Sequence, residues 1–91
     1  MAQPRPDRRA VPRMPSSGLV EIRFGEPAPM ILEAELLETS AQGFRAAHDS
    51  TRLEPGTEVF FRKSGELPGR ARVIWTHVLG DRRVSGFLVL H

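Results

Sequence analysis

A chain of 91 residues has room for one domain with a modest core, and its apolar fraction of 40% is ordinary for a globular protein. The absence of cysteine excludes disulfide staples and thiolate metal sites and fits a reducing cytoplasm. The formal charge of +2 is unevenly held: residues 1–13 carry four arginines against Asp7, a local +3, and residues 14–91 sum to −1.

Residues 1–17, with four prolines and Ser16-Ser17 at the end, read as a flexible Arg/Pro-rich arm. Arg5, Arg8, Arg9 and Arg13 stand where a leader peptide needs an uncharged apolar stretch, and the apolar runs elsewhere are too short to span a bilayer. No membrane insertion is expected. Within the arm, the guanidiniums of Arg8-Arg9-Ala10-Val11-Pro12-Arg13 can grip a phosphate with paired hydrogen bonds and stack on an aromatic base. Pro6, Pro12 and Pro15 bias the backbone towards extended geometry, which spreads Arg9 and Arg13 along a ligand edge. Confinement of the positive charge to the arm suits a compact anion better than a long polyanion.

The remainder, residues 18–91, reads as the folded domain. Leu19–Phe24 alternates apolar and charged residues at the period of a half-buried strand, and Gly25–Pro29 ends it. Met30–Leu37 contains good helix formers, yet Leu32, Ala34 and Leu36 alternate with Glu33 and Glu35, so a strand is expected. Thr39–Gly43 should turn, Phe44–Ala47 return, and Asp49–Gly56 turn again. Glu58–Arg62, Arg70–Val78 and Val84–Leu90 complete the set, with Gly80-Asp81 as a hairpin turn. The alternation places Trp75 in the core with Ala71 and Val73, and sends Phe60 and Phe61 to opposite faces. No segment has a useful helical period, and six short strands suggest a small antiparallel barrel or sandwich.

Glu38-Thr39-Ser40-Ala41-Gln42-Gly43 joins two of these strands: an acceptor, a hydroxyl, then a glycine that lets backbone approach a ligand. Taken alone, that hexapeptide is better accounted for by plain turn chemistry. Together with the arm it resembles the signature of the PilZ domains, bacterial receptors for cyclic di-GMP. Their Arg-x-x-x-Arg is matched by Arg9 to Arg13, with Arg8 preceding it. Their Asp/Asn-x-Ser-x-x-Gly is matched at Ser40 and Gly43, with Glu38 in the first position. Leu53–Val59, Ala71–Trp75 and Ser85-Gly86-Phe87 resemble the family's later strands, so the likeness runs from Arg8 to Leu90.

The resemblance implies a six-stranded antiparallel β-barrel of the split type with a flexible arm; the C-terminal helix that many family members carry is not expected here, because the last strand runs to Leu90. It also implies a cyclic di-GMP site made by Arg8, Arg9, Arg13, Glu38, Ser40 and Gly43. The arginines would take phosphates and guanine edges, the bend would form the opposite wall, and Arg8 is the feature associated with a stacked ligand dimer. A non-enzymatic receptor in the bacterial cytoplasm follows, without cofactor or metal, passing its signal to a downstream protein. Glu38 departs from the pattern by one methylene, which moves its carboxylate outward by about 1.5 Å. A PilZ-fold interaction module without a ligand therefore stays open, and so does a small barrel for single-stranded nucleic acid. His48 beside Asp49 lacks the surroundings of a hydrolase triad, and the three histidines lack metal-ligand spacing.

Overall fold

The structure, a computed structural model, describes Met14–Pro15 and residues 18–91. The arm expected over residues 1–17, with Arg8, Arg9 and Arg13, lies outside the described residues apart from Met14 and Pro15. Those two form a short strand, β1, where only irregular chain was expected. Six further strands follow: β2 (Leu19–Phe24), β3 (Met30–Thr39), β4 (Gly43–His48), β5 (Glu58–Lys63), β6 (Gly69–Leu79) and β7 (Arg82–Leu90). Among the described residues there is no helix, and therefore none long and apolar enough to cross a membrane.

All pairings are antiparallel. The order β3-β2-β5-β6-β7-β4, together with direct pairing of β3 to β4, closes the six strands into a barrel. β1 lies along β3 beyond the end of β2, with Met14 opposite Thr39 and Pro15 opposite Glu38. The ambiguous Met30–Leu37 segment is strand because β2 takes up one edge of its backbone over Met30–Glu35 and β4 takes up the other from Glu35 onward. A helix would have left β2 and β4 without that partner.

Inward side chains follow the period-two pattern over most of the barrel. Val20, Ile22, Phe24, Ala34, Leu36, Val59, Phe61, Ala71 and Val73 all face the core, as does Leu53 from the loop between β4 and β5. Phe44 stacks on Phe87 at 4.7 Å between centroids and tilts against Phe61 at 4.9 Å. Phe60, its side turned out, is 56% exposed. At one rim the Lys63 ammonium donates to Thr39 Oγ1 at 2.7 Å and stands 5.2 Å from the Phe44 ring centroid.

The other end is tied by a buried polar chain. The Ser50 backbone N–H donates to His48 Nδ1 at 3.0 Å, which puts the ring proton on Nε2, and Nε2–H donates to Ser85 Oγ at 2.7 Å. The Thr76 hydroxyl donates to the Leu53 carbonyl at 3.1 Å, so its oxygen is left to accept from Ser85 at 2.7 Å. Every group is satisfied only while His48 is neutral. A second ring proton would face the Ser50 N–H.

Burial holds the His48 pKa below its ordinary 6.5, Arg83 and Arg82 push the same way, and Asp49 opposes them. The unfolded chain therefore takes up this proton first. The stability contributed by His48 is complete above about pH 6.5 and is lost as pH falls through the lower, folded value. Urea midpoints should drop between about pH 7.5 and about pH 5. His48→Asn should flatten that response while costing about 1–3 kcal/mol at the higher pH.

Candidate functional site

Two bulges break the alternation and both turn side chains outward. In β3 the register steps from Leu36 opposite Ala46 to Glu38 opposite Arg45, leaving Leu37 as the extra residue. Glu38, which would otherwise follow Ala34 and Leu36 inward, is carried to the outer surface, and Thr39 takes the inward place. In β6 the step from Val73 opposite Phe87 to Trp75 opposite Gly86 makes Ile74 the extra residue. Trp75 is consequently not a core residue as the alternation implied. It is half-buried on the outside, while Thr76 turns in to meet Ser85.

The consequence is one rung across four strands of the outer wall: Glu38 on β3, Arg45 on β4, Gly86 on β7 and Trp75 on β6. Arg45 Nε lies 2.6 Å from Glu38 Oε1, so the carboxylate faces a guanidinium rather than standing against an incoming anion. The Trp75 indole covers Gly86, where any Cβ would collide with the ring, and its other neighbour is the His77 ring stacked at 4.7 Å. Only glycine lets the indole lie flat against the β7 backbone.

Above this rung, Ser40, Ala41 and Gln42 form the bend between β3 and β4. The Ser40 N–H donates to the Gly43 carbonyl at 2.8 Å, and the Ser40 hydroxyl accepts from the Gln42 N–H at 3.3 Å. Ser40 thus shapes the bend with the oxygen that sequence reasoning assigned to a ligand. The Gln42 carbonyl accepts from the Val89 N–H at 2.8 Å and fastens the bend to β7. Gly43 has ordinary strand geometry, yet a Cβ there would overlap the Phe87 carbonyl oxygen. Its glycine identity reflects the close approach of β4 and β7.

Rung and bend together enclose a cleft of about 280 Å³ lined by Glu38, Ser40, Arg45, Trp75, Gly86 and Leu88, among others. Three predicted site residues, Glu38, Ser40 and Gly43, are brought together here. Arg8, Arg9 and Arg13 lie outside the described residues, but Met14, the residue that follows Arg13 in the chain, is in register with Thr39 beside the bend. Arg45, Trp75, Gly86 and Leu88 were not expected in the site. The only signal for them was Ser85-Gly86-Phe87 with Trp75 upstream, and neither bulge is marked in the sequence. Among the described residues no group of three or more His, Asp or Glu side chains could hold a metal ion. No protein-family model matches this chain, and no curated protein matches it.

The two glycines separate by what they would strike. Gly43→Ala meets fixed backbone and should cost about 3 kcal/mol, measurable as a lower urea midpoint. Gly86→Ala meets a side chain that can swing, so it should cost about 1 kcal/mol while shifting Trp75 fluorescence to the red.

Proposed function

We propose that this protein is a PilZ-like receptor for cyclic di-GMP in the bacterial cytoplasm. The ligand would be held between the Arg8, Arg9 and Arg13 arm and the outer cleft. The observation that supports the reading is the register of Met14 with Thr39: the residue that follows the arginine motif in the chain pairs next to the Ser40–Gly43 bend. A cyclic dinucleotide offers two phosphates and two guanines. The arm supplies guanidiniums for the phosphates, and the cleft supplies the half-exposed face of Trp75 and the Arg45 guanidinium for a base. At about 280 Å³ the cleft is small for a whole ligand of this kind, which fits a site completed by residues that precede Met14. Closure of the arm would be the signal read by a downstream protein.

Glu38 supports a second reading. Its carboxylate is drawn onto Arg45 at 2.6 Å, and an acceptor so engaged is less free to take guanine N1–H and N2–H. A PilZ-fold interaction module that has lost the nucleotide fits that geometry.

Calorimetry with cyclic di-GMP, beside GTP and a short oligonucleotide, separates these readings. The receptor requires heat with cyclic di-GMP alone, quenching of Trp75, and at least about a tenfold loss of affinity in Arg9→Ala or Arg13→Ala. Glu38→Asp should tighten binding if the site is intact but mis-spaced. Silence in the wild type and in Glu38→Asp would leave the interaction module, and salt-sensitive heat with the oligonucleotide would favour nucleic acid.

A further inference from the structure

The neighbours of β3 share it unequally. β2 covers Met30–Glu35 along one edge, whereas β4 covers only Glu35–Thr39 along the other and leaves β3 after Ala47. The phase of the ladder is fixed by the Leu36 N–H, which donates to the Gly18 carbonyl at 2.9 Å on the β2 side. Before the bulge at Leu37, the even-numbered residues Met30 to Leu36 therefore turn their backbone groups to β2, and Ile31 and Glu33 turn theirs to the opposite edge. Among the described residues no strand is registered there, and the backbone groups of Ile31 and Glu33 have no other hydrogen-bond partner. Two N–H and two C=O groups thus stand ready for another strand.

The side chains along this edge define what fits. Ile31 is 61% exposed and Met30 39%, so an added strand would cover apolar surface. Glu33 is exposed and has no ion-pair partner among the described residues, while Glu35 is taken by Arg82 at 3.2 Å. We infer that the Met30–Ala34 edge receives an extended, basic segment of a partner protein as an additional strand. Its main chain would pair with Ile31 and Glu33, and a Lys or Arg would lie opposite Glu33. A second copy of the same edge would bring two more carboxylates onto this surface, and a nucleic-acid backbone would meet Glu33 with its own negative charge. The proposal does not depend on nucleotide binding, because this edge is at the other end of β3 from the bend.

Amide exchange and chemical-shift titration of the full chain test it. In the free protein the Ile31 and Glu33 amides should exchange fast and those of Leu32 and Ala34 slowly. A synthetic peptide of alternating Lys and Val, about seven residues long, should protect Ile31 and Glu33, and a Glu/Val peptide should bind more weakly. Ile31→Pro and Glu33→Pro each delete one edge-facing donor without touching the β2 ladder. Each should weaken the basic peptide about fivefold with little change in thermal midpoint, and Glu33→Lys should transfer the preference to the acidic peptide. The proposal is overturned if Ile31 and Glu33 are already protected in the free protein, or if neither peptide protects them. It is equally overturned if protection comes from dimerisation seen by sedimentation, or if folded proline variants bind like the wild type.

Discussion

Closure of this barrel depends on β3 serving two neighbours in succession. Its first half pairs with β2, its second half with β4, and the change falls at Glu35, where both are in register. Without the β3–β4 ladder the other five pairings among the six barrel strands would make an open sheet, with β4 and β3 as its edges and the Phe44, Phe61 and Phe87 cluster open on one side. A domain of this size has little surplus burial to offset such a loss. The ladder is sustained across the bulge at Leu37, whose extra residue increases the local twist that brings β3 round to β4.

The same irregularity makes the cleft. A strand without the bulge would send Glu38 inward, against the aromatic cluster, and the Arg45 pairing could not form. The bulge at Ile74 does the equivalent for Trp75, replacing it on the inside with a threonine that has a hydroxyl partner. Outer wall and inner chain are therefore coupled residue by residue: Thr76 and Ser85 face inward immediately beside Trp75 and Gly86, which face outward. The indole rests on a part of the sheet whose interior is held by hydrogen bonds as well as by packing.

Much of the fold was legible in the sequence because a half-buried strand must alternate and a tight hairpin must find residues such as Gly80 and Asp81. Leu19–Phe24 and Glu58–Arg62 show this at their simplest: the outward Glu21, Arg23 and Glu58 are followed by the inward Ile22, Phe24 and Val59. Register was not legible where one residue is inserted, since Leu37 and Ile74 are as apolar as their neighbours and nothing local distinguishes them. That is why Trp75 was expected among core residues and why Arg45 went unremarked. In the hexapeptide the positions of Glu38, Ser40 and Gly43 were readable, but their work was only half so. Ser40 holds the bend and Gly43 accommodates Phe87, two tasks that arise from strand approach and leave no trace in spacing.

Lys63 gives the barrel a sense of direction. Its ammonium is seated at one rim by the Thr39 hydroxyl and the faces of Phe44 and Phe61, while the opposite end is stoppered by Leu53 and a chain of neutral groups. The two ends thus differ in how charge meets the core: at the mouth nearest the Ser40 bend an ammonium lies over the aromatic rings, whereas at the other end Arg82 and Arg83 stand near a neutral His48. An aromatic face carries its own negative potential. This rim position can accordingly accept a shorter or longer cation, whereas an acidic side chain there would be repelled by the very rings that now anchor it.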